Sequence, residues 1–185
     1  MRDNGIRLQF AFIKATEGEK LVNRYFSRNW QLSRENGLCA GRIIISSVGS
    51  SAGSGTIISA NGGFLTRRFP CGTGRRRTGK LSAKELRKRV SQWLKMVQKS
   101  TEKSRLFTQE PFFITPIWRA HFNEYPWWVA HYYQRRPDND GMALRFWQHS
   151  DRGQVDGING PVDFNVFNGT LEELQAFVDG IKETP

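Results

Sequence analysis

Cysteine is scarce in this chain: Cys39 and Cys71 are the two among 185 residues, with no Cys-x-x-Cys spacing and no histidine ligands nearby. Neither a disulfide framework nor a zinc site is expected, and no motif asks for another cofactor. Long apolar runs are missing too. None approaches the ~20 residues of a membrane-spanning helix, so no membrane span is expected. The opening MRDNGIRLQF has none of the basic, apolar and small-residue zones of a signal peptide, so the chain shows no export address. Negative charge is lacking in one long stretch, since 38–79 holds six arginines and neither Asp nor Glu. That stretch supplies more than half of the formal charge of +11, and the rest of the chain is only mildly basic. A basic excess ordinarily suits nucleic acid, an anionic wall or a membrane surface.

What the chain does hold is 38% hydrophobic residues, enough for the core of a single domain at this length. Its six tryptophans suit a carbohydrate-binding cleft and equally suit a Trp-rich core. Leu8 to Ala15 clusters apolar residues as a buried strand does, delivering Lys14, Thr16, Glu17 and Gly18 to its carboxyl end. Tyr25, Phe26, Trp30 and Leu32 follow at near-helical spacing up to the stop at Asn36-Gly37. From Cys39 to Thr78 the sequence turns Gly/Ser-rich with weak periodicity, the pattern of linker or disorder. Ser82-Ala-Lys-Glu85 then has capping-box spacing, and Leu86, Val90, Trp93, Leu94 and Val97 make an apolar stripe, predicting a helix over 81–99.

Pro111 and Pro116 make the next segment, 103–120, a poor central strand. A buried strand is expected over 125–132, a polar turn over 135–141, and an aromatic-rich strand from Leu144 that ends in His149-Ser150-Asp151. Val162-Asp163-Phe164-Asn165 alternates apolar and polar residues, and Thr170-Leu-Glu-Glu173 caps a final helix with Leu171, Leu174, Phe177, Val178 and Ile181 on one face.

Three ordered motifs carry a family resemblance: Phe12-Ile-Lys-Ala-Thr-Glu-Gly18, Trp127-Trp-Val-Ala-His-Tyr132, and Trp147-Gln-His-Ser150 followed by Val162-Asp-Phe-Asn165. Together they resemble the family 25 glycoside hydrolases, lysozymes that cleave peptidoglycan between N-acetylmuramic acid and N-acetylglucosamine. The resemblance covers about 5–38, 80–100 and 122–185. It implies an α/β fold, the family's irregular TIM-like β/α barrel, incomplete here, over one domain spanning 1–185. It also implies peptidoglycan as partner, at the cell wall outside the cytoplasm. By motif, Glu17, Trp128, His131, Tyr132, Trp147 and Gln148 are the substrate-binding positions, with the aromatics stacking sugars and Gln148 and His131 hydrogen bonding. Asp163 is the supporting carboxylate, and His149 is expected at the rim rather than in catalysis.

The proton donor is what the resemblance does not supply. The family carries an Asp in its first strand and Asp-x-Glu in a central strand, whose Glu protonates the leaving oxygen while a second carboxylate supports the oxocarbenium-like state. This chain begins after the first strand would have ended, and no Asp-x-Glu lies between Gly37 and Lys80. The segments 39–79 and 103–121 are anomalous in a way that reading frame explains. Cys71-Gly-Thr-Gly-Arg-Arg-Arg-Thr-Gly79 can be encoded TGC GGT ACT GGA CGT CGA AGA ACG GGG. One base later the same bases give Ala-Val-Leu-Asp-Val-Glu-Glu-Arg, a catalytic strand of the family's kind. Read in the frame one base earlier, Cys39 to Ser46 hides Leu-Arg-Gly-Ala-Tyr-His-Tyr-Phe, and Lys103 to Thr108 hides Lys-Pro-Ile-Ile-Tyr. The expectation is a lysozyme-like protein without hydrolytic chemistry, with a glycan-binding remnant as the alternative. A basic nucleic-acid-binding protein ranks last, because Arg67, Arg68 and Arg75 to Arg77 all lie in a segment that frame accounts for. No nucleic acid is expected as partner.

Overall fold

In a computed structural model of the chain, the described residues are 7–17, 21–45, 64–68, 82–101, 105–109, 116–137 and 143–179. The strands are β1 (Phe10–Glu17), β2 (Leu21–Val22), β3 (Cys39–Ile45), β4 (Phe64–Arg68), β5 (Arg105–Gln109), β6 (Trp127–Ala130), β7 (Leu144–Gly153) and β8 (Val162–Phe167). Between and after them lie α1 (Phe26–Glu35), α2 (Ala83–Thr101), α3 (Pro116–His121) and α4 (Leu171–Asp179). All eight strands join one sheet in the order β2-β1-β3-β4-β5-β6-β7-β8. The ladders from β1 through β7 are parallel, whereas β2 and β8 lie antiparallel at the two edges.

The sheet is rolled. Five strand spacings separate β1 from β7, so a flat sheet would hold them about 24 Å apart. Yet the ring of Phe12 on β1 lies 5.0 Å from Phe146 on β7 and 4.6 Å from Trp128 on β6. No ladder joins β2 to β8 among the described residues, so the roll is not closed by hydrogen bonds. Its interior is aromatic: Phe10, Phe12, Trp128, Phe146 and Phe167 meet there with Ile43. Leu174 and Phe177 of α4 join this cluster, next to residues that begin β1 and β3. That end of the sheet is thereby covered, and the carboxyl ends of the parallel strands are left for the polar residues described below.

Local chemistry explains the helices. On the outer face of β3, the Arg42 guanidinium lies 5.0 Å from the Phe26 ring and 5.3 Å from Trp30, both on α1. Burial there pulls the Arg42 pKa down from its ordinary value. α1 ends as Asn36-Gly37 predicts: Gly37 takes φ 75, its N–H reaches the Arg34 carbonyl at 3.0 Å, and the Leu38 N–H reaches Ser33 at 2.9 Å. This is the paired closing bond of a left-handed glycine stop. α2 starts with the Glu85 N–H donating to Ser82 Oγ at 3.2 Å, and Val90 and Leu94 are buried. The side chains of Leu86, Trp93 and Val97 lie outside the described residues. In α4 the cap is reciprocal, with the Thr170 N–H bonded to Glu173 Oε2 at 2.6 Å and the Glu173 N–H to Thr170 Oγ1 at 3.2 Å.

Three expectations change. The stretch 39–78 is not all linker, because 39–45 and 64–68 form β3 and β4, paired in parallel. In β3, Ile43-Ile44-Ile45 are β-branched residues, which favour strands despite their Gly/Ser-rich surroundings. In 103–120 the prolines do not interrupt a strand, since β5 ends at Gln109 and Pro116 opens α3. On α4, Leu171 is 52% exposed rather than part of the apolar face, and Ile181 lies outside the described residues.

Candidate functional site

Strand alternation assembles the site. Along β7 the side chains of Leu144, Phe146 and Gln148 are buried, and those of Arg145, Trp147 and His149 are half-buried, so Gln148 continues the inner face above Phe146. On β8 the inner residues are Asp163, Asn165 and Phe167, because the Phe167 ring packs on Phe146 at 5.0 Å. Asn165 stands opposite Gln148 in the ladder. As β8 runs antiparallel, Asp163 falls at the same end as the carboxyl ends of the parallel strands, where α/β sheets gather their ligands. A polar step thus tops an aromatic floor.

Hydrogen bonds fix that step. Gln148, 2% exposed, accepts the Tyr132 hydroxyl on Oε1 at 3.1 Å. Tyr132 reaches it because the chain leaving β6 stays attached to β7, through the His131 N–H bonded to the Gln148 carbonyl at 3.0 Å. The Trp128 indole N–H donates to Asn165 Oδ1 at 2.9 Å, and Asn165 Nδ2 donates to the Asp163 carbonyl at 3.3 Å. With the orientation of Asn165 set by a buried indole, the segment that presents Asp163 is held in turn. The Asp163 carboxylate itself is exposed.

The residues expected from sequence divide. Tyr132, Gln148 and Asp163 come together on one face. Trp128 joins them as a support: at 2% exposure, with its ring on Phe12, it offers no face for a sugar to stack on. Trp147 lies on the opposite face of β7 from Gln148, where its indole N–H donates to the His131 carbonyl at 2.8 Å and its ring meets His149 at 5.4 Å. Alternation separates the adjacent Trp147 and Gln148, so both cannot serve one inner face. His131 is half-buried, and its Nδ1 is a buried atom with no hydrogen-bond partner. His149 packs at 6.2 Å from Phe164, on the outer side with Trp147. Glu17 ends β1 opposite Ile45 in the ladder, and its side chain lies outside the described residues.

Two residues were not singled out by sequence. Asn165 links Trp128 to Asp163, and the alternation of Val162-Asp-Phe-Asn165 was the signal that puts it beside Asp163. Tyr133 follows Tyr132 with an exposed ring, and nothing in its sequence context announces its backbone geometry. Among the described residues, β3, β4, β5 and β6 contain no Asp or Glu, whereas Glu17 ends β1. Among the described residues no group of three His, Cys, Asp or Glu is placed to hold a metal ion, and no helix is long and apolar enough to cross a membrane.

Comparison with known proteins bears on the family and the fold. The family described as glycosyl hydrolases family 25 matches residues 1–53 and 75–158. The chain is 69% identical over 186 residues to the uncharacterized protein YegX of Escherichia coli K12, covering 100% of this chain and 68% of that one. It is 27% identical over 191 residues to lysozyme M1 of Streptomyces globisporus, covering 93% of this chain and 64% of that one. Among solved structures, the bacterial lysozyme from Streptomyces coelicolor superposes with a TM-score of 0.78 at 25% identity, over 92% of this chain and 86% of that chain. A family 25 glycosyl hydrolase from Bacillus anthracis superposes with a TM-score of 0.68 at 23% identity, over 92% and 82% of the two chains. With a family match over most of its length and a mixed α/β fold like that of these lysozymes, the chain belongs to glycosyl hydrolases family 25.

Proposed function

We propose that this lysozyme-like chain binds the glycan of peptidoglycan and does not hydrolyse it. The observation that carries this reading is the contrast between the two halves of the sheet. β7 and β8 present Gln148, Asn165 and Asp163 on one hydrogen-bonded step, while β3 to β6 hold no carboxylate. Glycoside cleavage needs a carboxylic acid to protonate the leaving oxygen and a second carboxylate ~5–9.5 Å away. Asp163 supplies charge, and the described residues of the central strands supply it no carboxylate partner. In this reading Tyr132, held by the buried Gln148, bonds sugar hydroxyl or acetamido groups, Asp163 orients the sugar, and the rolled sheet is the family's irregular barrel left open at one seam.

Frame accounts for the missing acid. The peptide Ala-Val-Leu-Asp-Val-Glu would stand at 71–76, which lies outside the described residues. In the described sheet β4 is supplied by 64–68, a segment with arginines at its carboxyl end. The test is sedimentation of the purified chain with insoluble peptidoglycan, alongside assay of soluble muropeptides. Co-sedimentation without release is the expected result, with loss of binding on Gln148→Ala. Failure to co-sediment, or release of muropeptides, would contradict the proposal.

A further inference from the structure

Tyr133 is the one non-glycine with positive φ among the described residues, at 58°. A bulky side chain rarely takes this left-handed conformation, and where it persists the surroundings must hold it. They do so here. The Tyr133 N–H donates to the His149 carbonyl at 3.3 Å, its hydroxyl donates to Asp151 Oδ1 at 2.8 Å, and the Arg152 guanidinium carbon lies 5.9 Å from the ring centroid. The Asp151 bond also raises the Tyr133 pKa, which keeps the hydroxyl protonated as a donor. Despite three tethers, the residue is 67% exposed. Its ring lies 6.2 Å from that of Tyr132, whose hydroxyl holds Gln148. Burial does not explain a strained aromatic residue fixed in solvent beside the polar step.

We infer that Tyr133 is a pre-set aromatic platform for a further pyranose ring of the glycan chain, with Asp151 and Arg152 fixing the ring and offering polar groups to the sugar's hydroxyls. The inference rests on the glycan-binding reading and extends it by one subsite. A sugar suits the surface better than a protein partner does. The neighbours Gln134, Arg135, Arg136, Asp151 and Arg152 are exposed and polar, so among these described neighbours the ring is not part of an apolar patch. One apolar face rimmed by charged and polar groups matches the CH face and hydroxyl rim of a pyranose. An aromatic fixed in advance also loses little freedom on binding.

Binding of the soluble N-acetylglucosamine hexamer, measured by titration calorimetry on the full chain, tests the platform. Tyr133→Ala should weaken it by roughly three- to tenfold, the worth of one aromatic contact. Tyr133→Asn separates binding from folding, because Asn tolerates the left-handed backbone. It should weaken the hexamer equally without lowering the melting temperature. Tyr133→Phe keeps the ring, loses the Asp151 bond and should bind with an affinity between those of the parent and Tyr133→Asn. If the parent binds the hexamer and Tyr133→Asn binds as well, the platform is overturned and the Gln148 site stands. If affinity falls only in step with melting temperature, the residue is structural and the platform is again overturned. If the parent binds no hexamer, the glycan-binding reading fails and takes the platform with it.

Discussion

At the scale of single residues, the pair Tyr132 and Gln148 carries much of the site. Gln148 is buried, so removing its donor leaves an acceptor away from water, which costs about 1–3 kcal/mol. Tyr132→Phe should therefore lower the free energy of unfolding in urea by that order, with little change in the denaturant slope. Gly37 offers a second check: a Cβ there meets nothing within 4 Å, so Gly37→Ala tests the backbone conformation alone. At φ 75 it should cost about 1–2 kcal/mol, and Gly37→Asn less. Part of the geometry of the candidate site was legible in sequence. The alternating Val162-Asp-Phe-Asn165 places Asp163 and Asn165 together, and Trp147-Gln148 places one of its pair inward. Which one faces inward depends on Phe146 meeting Phe12 across the roll, a contact between residues 134 positions apart that no local pattern encodes. The role of Trp128 was obscured in the same way. A tryptophan on a strand looks alike whether its ring is exposed to a sugar or packed on Phe12.

At the scale of elements, helices were the most legible because their ends are written in short range. Asn36-Gly37, Ser82 with Glu85, and Thr170 with Glu173 each do in the structure what their spacing predicts. Replacing Thr170 by Ala should cost about 1 kcal/mol through loss of the α4 cap, read as a lower melting temperature. A pH dependence accompanies it. The Glu172 pKa is lowered by a bond to its own backbone and then by the Thr170 hydroxyl. A carboxylate with a depressed folded pKa contributes stability above its unfolded value of about 4.3, and that contribution is lost as the pH falls through the folded value. Melting temperature should decline in that acidic window, and less steeply in Thr170→Ala. The strands 39–45 and 64–68 were not legible. Their β-forming residues sit within long Gly/Ser- and Arg-rich sequence, and their pairing partners are strands distant in the chain.

At the scale of the whole molecule, the basic excess lies in the same stretch from which we propose the acid is missing. Arg75, Arg76 and Arg77 contribute charge but stand outside the described residues, and changing all three to Ser should leave peptidoglycan binding nearly unchanged at moderate salt, where exposed charges act over ~8 Å. A large loss of binding insensitive to salt would place those arginines in the site. The central claim is that the glycan-binding face persists on a chain that has lost its proton donor, a group worth ~10²–10⁴-fold in rate. Muropeptide release from purified peptidoglycan tests it most directly, comparing the chain as it stands, its Asp163→Asn variant and a chain with the reading frame restored through 39–79 and 103–121. The account predicts no release by the first two and measurable release by the third. Release by the chain as it stands, abolished by Asp163→Asn, would contradict it.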